Sequence, residues 1–328
     1  MIFITGCNGL AGSFIARKLL SNGEKILALK RMSSDLSLVS DIESSIQWLE
    51  GDIADTEILN KAMEQCDTVI HAAAIISYAP RNREKMYKVN VEGTANVVNA
   101  ALKNNIKKFC FIGSIAALGR KKDALFINEN ALWEESEMNT HYAKSKYLAE
   151  LEVWRAIEEG LPAFIVNPSV ILGPGNWENG STKIFQYIYK RNKFYTNGHI
   201  NYIDVQDVAS IIVELLNKNN FGERFILNAG SVTYNELFTT IARSFQVKPP
   251  TISVGKMLSE LVWRMESLRT MFSASEPIIT KETVKLADFS FEFQNEKISQ
   301  LLGYTFLPLQ TTTDNACREL TSRYVNKK

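Results

Sequence analysis

Short apolar runs alternate along this chain with segments whose apolar residues recur at helical spacing. The runs are residues 2–5 (IFIT), 25–30 (KILALK), 46–50 (IQWLE), 67–73 (DTVIHAA), 107–113 (KKFCFIG) and 162–168 (PAFIVNP). Between them lie GLAGSFIARKLLSNG, TEILNKAMEQC, the long NREKMYKVNVEGTANVVNAALKNN and THYAKSKYLAELEVWRAIEEG. Several of these end at Gly or Asn, the usual helix stop. Continuous apolar runs suit strands buried on both faces, and their alternation with helices predicts a Rossmann-type, doubly wound parallel sheet of the α/β class. After Pro168 the rhythm loosens. A Gly/Asn-rich loop (173–182) precedes a helix over 204–219, and the tail mixes RFILNAG, NELFTTIARSF and the helical stretch 256–272. The expected organisation is a sheet domain over 1–170, rejoined by 200–220, with a smaller C-terminal domain built from 171–199 and 221–328.

Composition narrows the class. Lys+Arg (37) nearly cancels Asp+Glu (36) over 328 residues, so no global field recruits nucleic acid or an anionic membrane. An anionic ligand must be held by local geometry. Cys7, Cys66, Cys110 and Cys317 are scattered without a CxxC pair, the pattern of reduced thiols. His71, His141 and His199 are the three histidines, none beside a second ligand at metal spacing, so no metal site is expected. No apolar run reaches the roughly 18 residues of a membrane span, and MIFITGCNGLAG has no basic segment or cleavage site. A cytoplasmic protein is expected. Stretch 256–272 mixes Arg and Glu with apolar residues at core spacing and reads as a lid or core helix, with contact to a membrane surface as the alternative.

TGCNGLAG (5–12) follows the first run directly and opens a helix. Gly6 lets the chain turn sharply, Gly9 lets backbone approach a pyrophosphate, and Gly12 lets the helix pack close to the sheet. Exposed N–H groups around Asn8 and Leu10, with the helix dipole, then hold the anion.

On this GxxGxxG turn the chain resembles the extended short-chain dehydrogenase/reductase superfamily, in its NAD(P)-dependent epimerase/dehydratase group. Further motifs follow in order to about residue 310: GDI (51–53), HAAA (71–74), VNVEGTANVV (89–98), NPSVILGPG (167–175) and YIDVQDVA (202–209). The resemblance implies that Asp52 and Ile53 contact the adenine and that Ala72, Ala73 and Ala74 lie under the dinucleotide. It also implies Pro168 and Val170 beside the nicotinamide, and Asn90 as a structural or proton-relay residue. A homodimer is a further implication.

An acidic residue ending the second strand would bind the ribose 2′-hydroxyl of NAD. Here Lys30 stands in that place, with Arg31 after it and Ser33 and Ser34 beyond. A cation suits a 2′-phosphate, so NADP(H) is expected over NAD(H).

A carbonyl accepting hydride gathers negative charge on oxygen and needs a proton there. In the family a Ser or Thr polarises that oxygen, a Tyr supplies the proton, and a Lys lowers the tyrosine pKa while holding the ribose. A Tyr–Lys pair four residues apart shares a helix face. That spacing occurs three times, at Tyr142/Lys146, Tyr189/Lys193 and Tyr324/Lys328. Only the first follows a serine at a strand end, Ser114 in FIGSIAALG. The candidate catalytic residues are therefore Ser114, Tyr142, Lys146 and Asn90.

Departures from the family narrow the substrate. Sugar dehydratases of the family place Asp-Glu after the catalytic Thr, where this chain has Ile115 and Ala116. Many nucleotide-sugar epimerases read SSxxVYG and carry an Arg before the return helix. Here Gly113 and Leu118 replace the first Ser and the Tyr, and that segment is uncharged. The pattern resembles the dihydroflavonol reductase and 3β-hydroxysteroid dehydrogenase branch, which implies a reductase or alcohol dehydrogenase for a fairly apolar small molecule. Ser77, Tyr78, Asn176 and Tyr187 are the candidate substrate contacts. An NAD(P)-dependent sugar epimerase and a non-catalytic NADP-binding redox sensor are the alternatives.

Overall fold

The computed structural model describes residues 1–120, 126–136, 139–254 and 291–325. The helix expected over 256–272 lies outside the described residues. The first half runs β1 (Ile2–Thr5), α1 (Leu10–Ser21), β2 (Ile26–Lys30), β3 (Ile46–Glu50), α2 (Thr56–Met63), β4 (Thr68–His71), α3 (Arg83–Tyr87), α4 (Gly93–Lys103) and β5 (Lys108–Ile112). It continues through β6 (Phe126–Ile127), α5 (His141–Glu158) and β7 (Ala163–Pro168). Then come β8 (Val170–Leu172), α6 (Thr182–Tyr189), β9 (Phe194–Thr196), β10 (His199–Asp204), α7 (Val205–Lys218), β11 (Glu223–Leu227), β12 (Gly230–Thr233) and α8 (Tyr234–Ser244). The described chain closes with β13 (Ile252–Val254), β14 (Glu292–Phe293), α9 (Glu296–Leu302) and α10 (Leu309–Tyr324).

The expected Rossmann-type parallel sheet is present. Seven strands lie in the order β11-β7-β5-β4-β1-β2-β3, every pair parallel. All six apolar runs became strands of it. The seventh, β11, comes from RFILNAG, which the sequence pattern did not assign to this sheet; it pairs with β7 along the edge.

Alternation along each strand sends side chains into two separate layers. Ile2 and Ile4 join α1, α7 and α9 on one face, while Phe3 joins α2, α4 and α5 on the other. Side chains such as Phe3, Phe109, Phe111 and Ile70 are fully enclosed, each worth about 1.5–3 kcal/mol of burial. A third cluster binds α6, α8 and α10 around Trp177 and Phe185 in the C-terminal lobe. Its small sheet runs in the order β12-β10-β8, with β12 antiparallel and β8 parallel to β10.

Four of the described α-helices begin on a side-chain cap. Asp55 accepts from Glu57 and Ile58 before α2, Thr140 from Ala143 before α5, Asp204 from Gln206 before α7, and Thr233 from Glu236 before α8. Helix α1 starts instead at Gly9 with no side-chain cap, leaving its first amides without that partner.

Candidate active site

The glycine turn has the shape of an anion cradle. Gly6 has φ +70°, and a Cβ there would stand 2.7 Å from the Ala72 backbone. A Cβ on Gly12 would meet the Gly6 carbonyl oxygen at 2.2 Å. Gly9 has only that same oxygen within reach, at 3.3 Å, so its outer side is open. Beside the turn, Asn8 donates to the Asp35 carbonyl at 3.1 Å and Asn176 to the Asp35 carboxylate at 3.3 Å. Asn176, read from sequence as a substrate contact, is thus placed at the cradle's rim. These residues fit a dinucleotide pyrophosphate: uncapped helix amides, a turn no side chain would fit, and open space over Gly9.

The other dinucleotide candidates fall around this cradle in differing ways. The Asp52 carboxylate accepts from the Ala54 amide at 3.0 Å, closing its turn. Ile53 is buried against Gly93, where a Cβ would lie 2.4 Å from its side chain. Ala72 and Ala73 follow β4 directly beneath Gly6, and Ala74 is exposed. Pro168 ends β7 and Val170 begins β8. Lys30 lies over the Trp48 ring, 5.6 Å from its centroid, and the Arg31 side chain is exposed.

The catalytic candidates meet where β5 ends. Ser114 follows Gly113, the first residue past that strand, and its hydroxyl accepts from the Ala116 amide at 3.1 Å. Thr140 caps α5 and so fixes where its first turn begins. Tyr142, in that turn, is buried beside Ser114. Burial first, and then the nearby Tyr78 phenol, push its pKa well above the ordinary tyrosine range, against the opposing influence of the Ser114 hydroxyl. The free phenol therefore stays protonated at neutral pH. One turn on, Lys146 is 2% exposed, donates to the Ile112 carbonyl at 2.8 Å, and sits 4.5 Å over the Phe111 ring. Burial pushes its pKa down to about 8, and Glu150 opposes that fall.

Two networks that the sequence did not reveal hold this group. The first is a directed line of hydrogen bonds. The Ala73 amide donates to Thr5 Oγ1 (3.3 Å), which contacts His71 Nδ1 (2.6 Å); His71 Nε2 contacts Thr94 Oγ1 (2.9 Å), which donates to the Asn90 carbonyl (2.6 Å). Thr94 has one proton and gives it to Asn90, so His71 must donate through Nε2 and accept through Nδ1. Burial, then the Lys146 charge, depress the His71 pKa to about 3, which keeps that neutral tautomer in place. Asn90 sits in a π-helical turn (88–92) joining α3 to α4. Its amide exchanges hydrogen bonds with both backbone groups of Ile75, at 2.8 and 2.9 Å, and donates to Ser145 Oγ at 3.0 Å. Ser145 in turn donates to the Tyr142 carbonyl at 2.8 Å. The structure thus gives Asn90 a clasp between the loop after β4 and helix α5.

The second network supports Ser114 from behind. Arg224 of β11 pairs with the buried Glu150 carboxylate at 3.1 Å. The other oxygen of Glu150 accepts from Asn167 at 2.8 Å, and Asn167 also donates to the Ser114 carbonyl at 3.0 Å. A Cβ on Gly113 would stand 2.6 Å from that Asn167 amide. Gly113, where related sequences read Ser, is therefore the space Asn167 occupies. Glu150 lies four residues past Lys146, a signal available in the sequence; its partners became visible only with the sheet order.

The substrate candidates separate. Tyr78 stands edge-on to Tyr142, centroids 6.0 Å apart, and Tyr234 of α8 lies close enough to Tyr78 for the two phenols to oppose each other's ionisation. Ser77 is buried and accepts from Ala79 and Asn82 at 3.2 and 3.0 Å. Tyr187 donates its hydroxyl to the Phe194 carbonyl at 3.0 Å and packs on Phe238, so the structure ties it into the C-terminal cluster. Tyr324 is likewise occupied, its hydroxyl accepting from the Trp177 amide at 3.3 Å. Among the described residues no group of three metal-ligating side chains occurs, and no helix is long and apolar enough to cross a membrane.

A doubly wound sheet with an open glycine cradle at the end of its first strand defines a dinucleotide-binding enzyme of the Rossmann class. The chain belongs to the NAD dependent epimerase/dehydratase family, whose model matches residues 2–230, and is an NAD(P)-dependent oxidoreductase of the extended short-chain type. It is 29% identical over 310 residues to a Synechocystis protein provisionally named a dihydroflavonol 4-reductase, covering 92% of this chain and 89% of that one. It is 25% identical over 323 residues to a decarboxylating sterol-4-alpha-carboxylate 3-dehydrogenase of Dictyostelium discoideum, covering 93% and 95%. Among solved structures, that of gox2253 superposes with a TM-score of 0.84 at 29% identity, over 100% of this chain and 99% of the other.

Proposed function

We propose that this enzyme interconverts a ketone or aldehyde and its alcohol on a small, fairly apolar molecule, with NADP(H) as cofactor. The observation that carries the reading is the buried Tyr142 beside Ser114 at the end of β5, with Lys146 buried one turn away on the same helix. The nicotinamide, when bound, supplies or accepts the hydride. The chain's own residues manage the proton. Tyr142, held protonated, is the donor to the developing alkoxide. Ser114, its backbone fixed by Asn167, aims a second hydrogen bond at the same oxygen. Lys146 lies where its charge can favour the phenolate that Tyr142 leaves behind. The aromatic rings of Tyr78 and Tyr234 favour an apolar substrate body. Ile115 and Ala116 offer no acid or base for elimination.

Lys30 and Arg31 favour NADP(H), because a guanidinium or ammonium at the end of β2 complements a 2′-phosphate. The Asp35 carboxylate nearby is taken up by the Ser37 amide at 2.9 Å and by Asn176. The homodimer implied by the family resemblance belongs to the same proposal and is read by sedimentation. The chemistry is tested by following NADPH oxidation over a panel of ketones and aldehydes, with Tyr142→Phe as control. Turnover that falls by at least roughly a hundredfold in the variant supports the assignment; a variant as active as wild type on a confirmed substrate overturns it.

A further inference from the structure

Among the described residues Arg120 is a cation without an anion. It follows Ser114 by six residues, and its position is set by its neighbours. Leu118 is fully buried against Ile127, Phe291 and Phe293. Gly119 passes so close to the Leu132 carbonyl that a Cβ would lie 1.6 Å from that oxygen. The backbone leading into Arg120 is therefore locked. Its guanidinium carbon sits 6.0 Å from the centroids of both Phe291 and Phe293. Its Nε is buried without a hydrogen-bond partner, and among the described residues no carboxylate pairs with it. Burial lowers its pKa, and the one group that opposes this is the phenol of Tyr78. Tyr78 in turn stands edge-on to Tyr142, so Arg120, in the loop that leaves the carboxyl end of β5 after Ser114, acts on the ring beside the proton donor.

The side chain is partly buried, and stacking on two rings does not replace the hydrogen bond that its enclosed Nε forgoes. Charges withdrawn from water are as a rule paired, and an unpaired one offers a place to an anionic ligand. The fork of donors on an arginine matches a planar carboxylate, and a single positive charge suits a monoanion better than a phosphate dianion. We propose that Arg120 recognises a carboxylate on the substrate, so that the molecule reduced is an apolar ketone bearing an acid group at its other end. This rests on the carbonyl-reducing reading above and adds the class of substrate to it.

The test compares para-acetylbenzoate with its methyl ester, two ketones of one shape that differ in charge, in wild type and in Arg120→Met. Wild type is expected to favour the acid in kcat/KM by on the order of tenfold or more, the worth of a charge-assisted hydrogen bond, and Arg120→Met to erase that preference while NADPH affinity stays the same. Equal preference in the two proteins overturns the proposal. A titration of NADPH-loaded protein with benzoate, followed by calorimetry, needs no turnover. Binding in wild type that is lost in Arg120→Met upholds the carboxylate site even if neither ketone is reduced, in which case the ketone reading falls alone; benzoate binding that is absent, or equal in both, overturns the site. Should Arg120→Met fail to fold, Arg120→Gln carries the same comparison.

Discussion

Lys146 is a charge placed where water cannot reach it, among ring carbons and a single carbonyl. Its pKa falls from an ordinary 10.5 to about 8, so the native state binds fewer protons than the unfolded chain between those values. Stability therefore rises with pH across that window, and the burden of the buried charge is fully present below it. At about 1.4 kcal/mol per pKa unit this is on the order of 3 kcal/mol. Lys146→Met, though inactive, is expected to be more stable than wild type at pH 7 and to lose most of that advantage by pH 10. Urea unfolding at the two pH values checks this; an unchanged difference would contradict the linkage. The same scale distinguishes glycines that look alike in sequence. Gly12→Ala forces a Cβ onto the Gly6 carbonyl and should destabilise by about 1–3 kcal/mol while abolishing dinucleotide binding. Gly230→Ala, whose Cβ would be 3.6 Å from Tyr202, should be neutral or slightly stabilising. Thermal melts with and without NADPH separate the two. Ser114, Tyr142 and Lys146 could be picked out in the sequence because order and spacing carry them. The hold on Asn90 could not, because its partners at Ile75 and Ser145 lie 15 and 55 residues away.

At the scale of elements, the strands were legible where both faces are buried. β11 was not, because its run opens with the charged pair Glu223 and Arg224. Those charges have a structural reason: Arg224 reaches Glu150 across the sheet edge, and Lys297 of α9 pairs with Glu223 at 2.7 Å. The segment 83–103 reads as one uninterrupted helix, and a π-helical turn that inserts a single extra residue leaves no mark on such a pattern. The Arg224–Glu150 pair ties edge strand to catalytic helix. Glu150→Gln leaves Arg224 buried without its counter-charge and is expected to destabilise by about 3–5 kcal/mol; adding Arg224→Met should recover part of that loss. In the single variant Lys146 also loses the charge that props up its pKa, so its acid–base transition should move lower. Competitive acetylation of the Lys146 peptide against pH measures this directly, and a fixed midpoint would show that Glu150 does not act on the lysine.

For the molecule as a whole, near-zero net charge leaves ligand choice to local groups, and the cofactor preference is the clearest place to see it. A ligand that binds only the native state at a hundredfold its Kd adds about 2.7 kcal/mol, so NADPH should raise the melting temperature more than equimolar NADH. Arg31→Glu should reverse that order. Unequal shifts favouring NADH in the wild-type protein would exclude the NADP(H) assignment. The Rossmann architecture was readable through its first six strands because one repeated rhythm encodes them. The C-terminal lobe was not, since its strands are short and its three small sheets pair segments as distant as Phe126 and Glu292.

The line from Ala73 through Thr5, His71 and Thr94 to Asn90 has a consequence for how this sequence can drift. Each hydroxyl on it has one proton and points it one way, so a lone change at any link strands a donor on one side or an acceptor on the other. Neutral exploration at these positions is closed to single steps. Thr5, His71 and Thr94 should be inherited as a unit among descendants of this chain, replaced together or left alone.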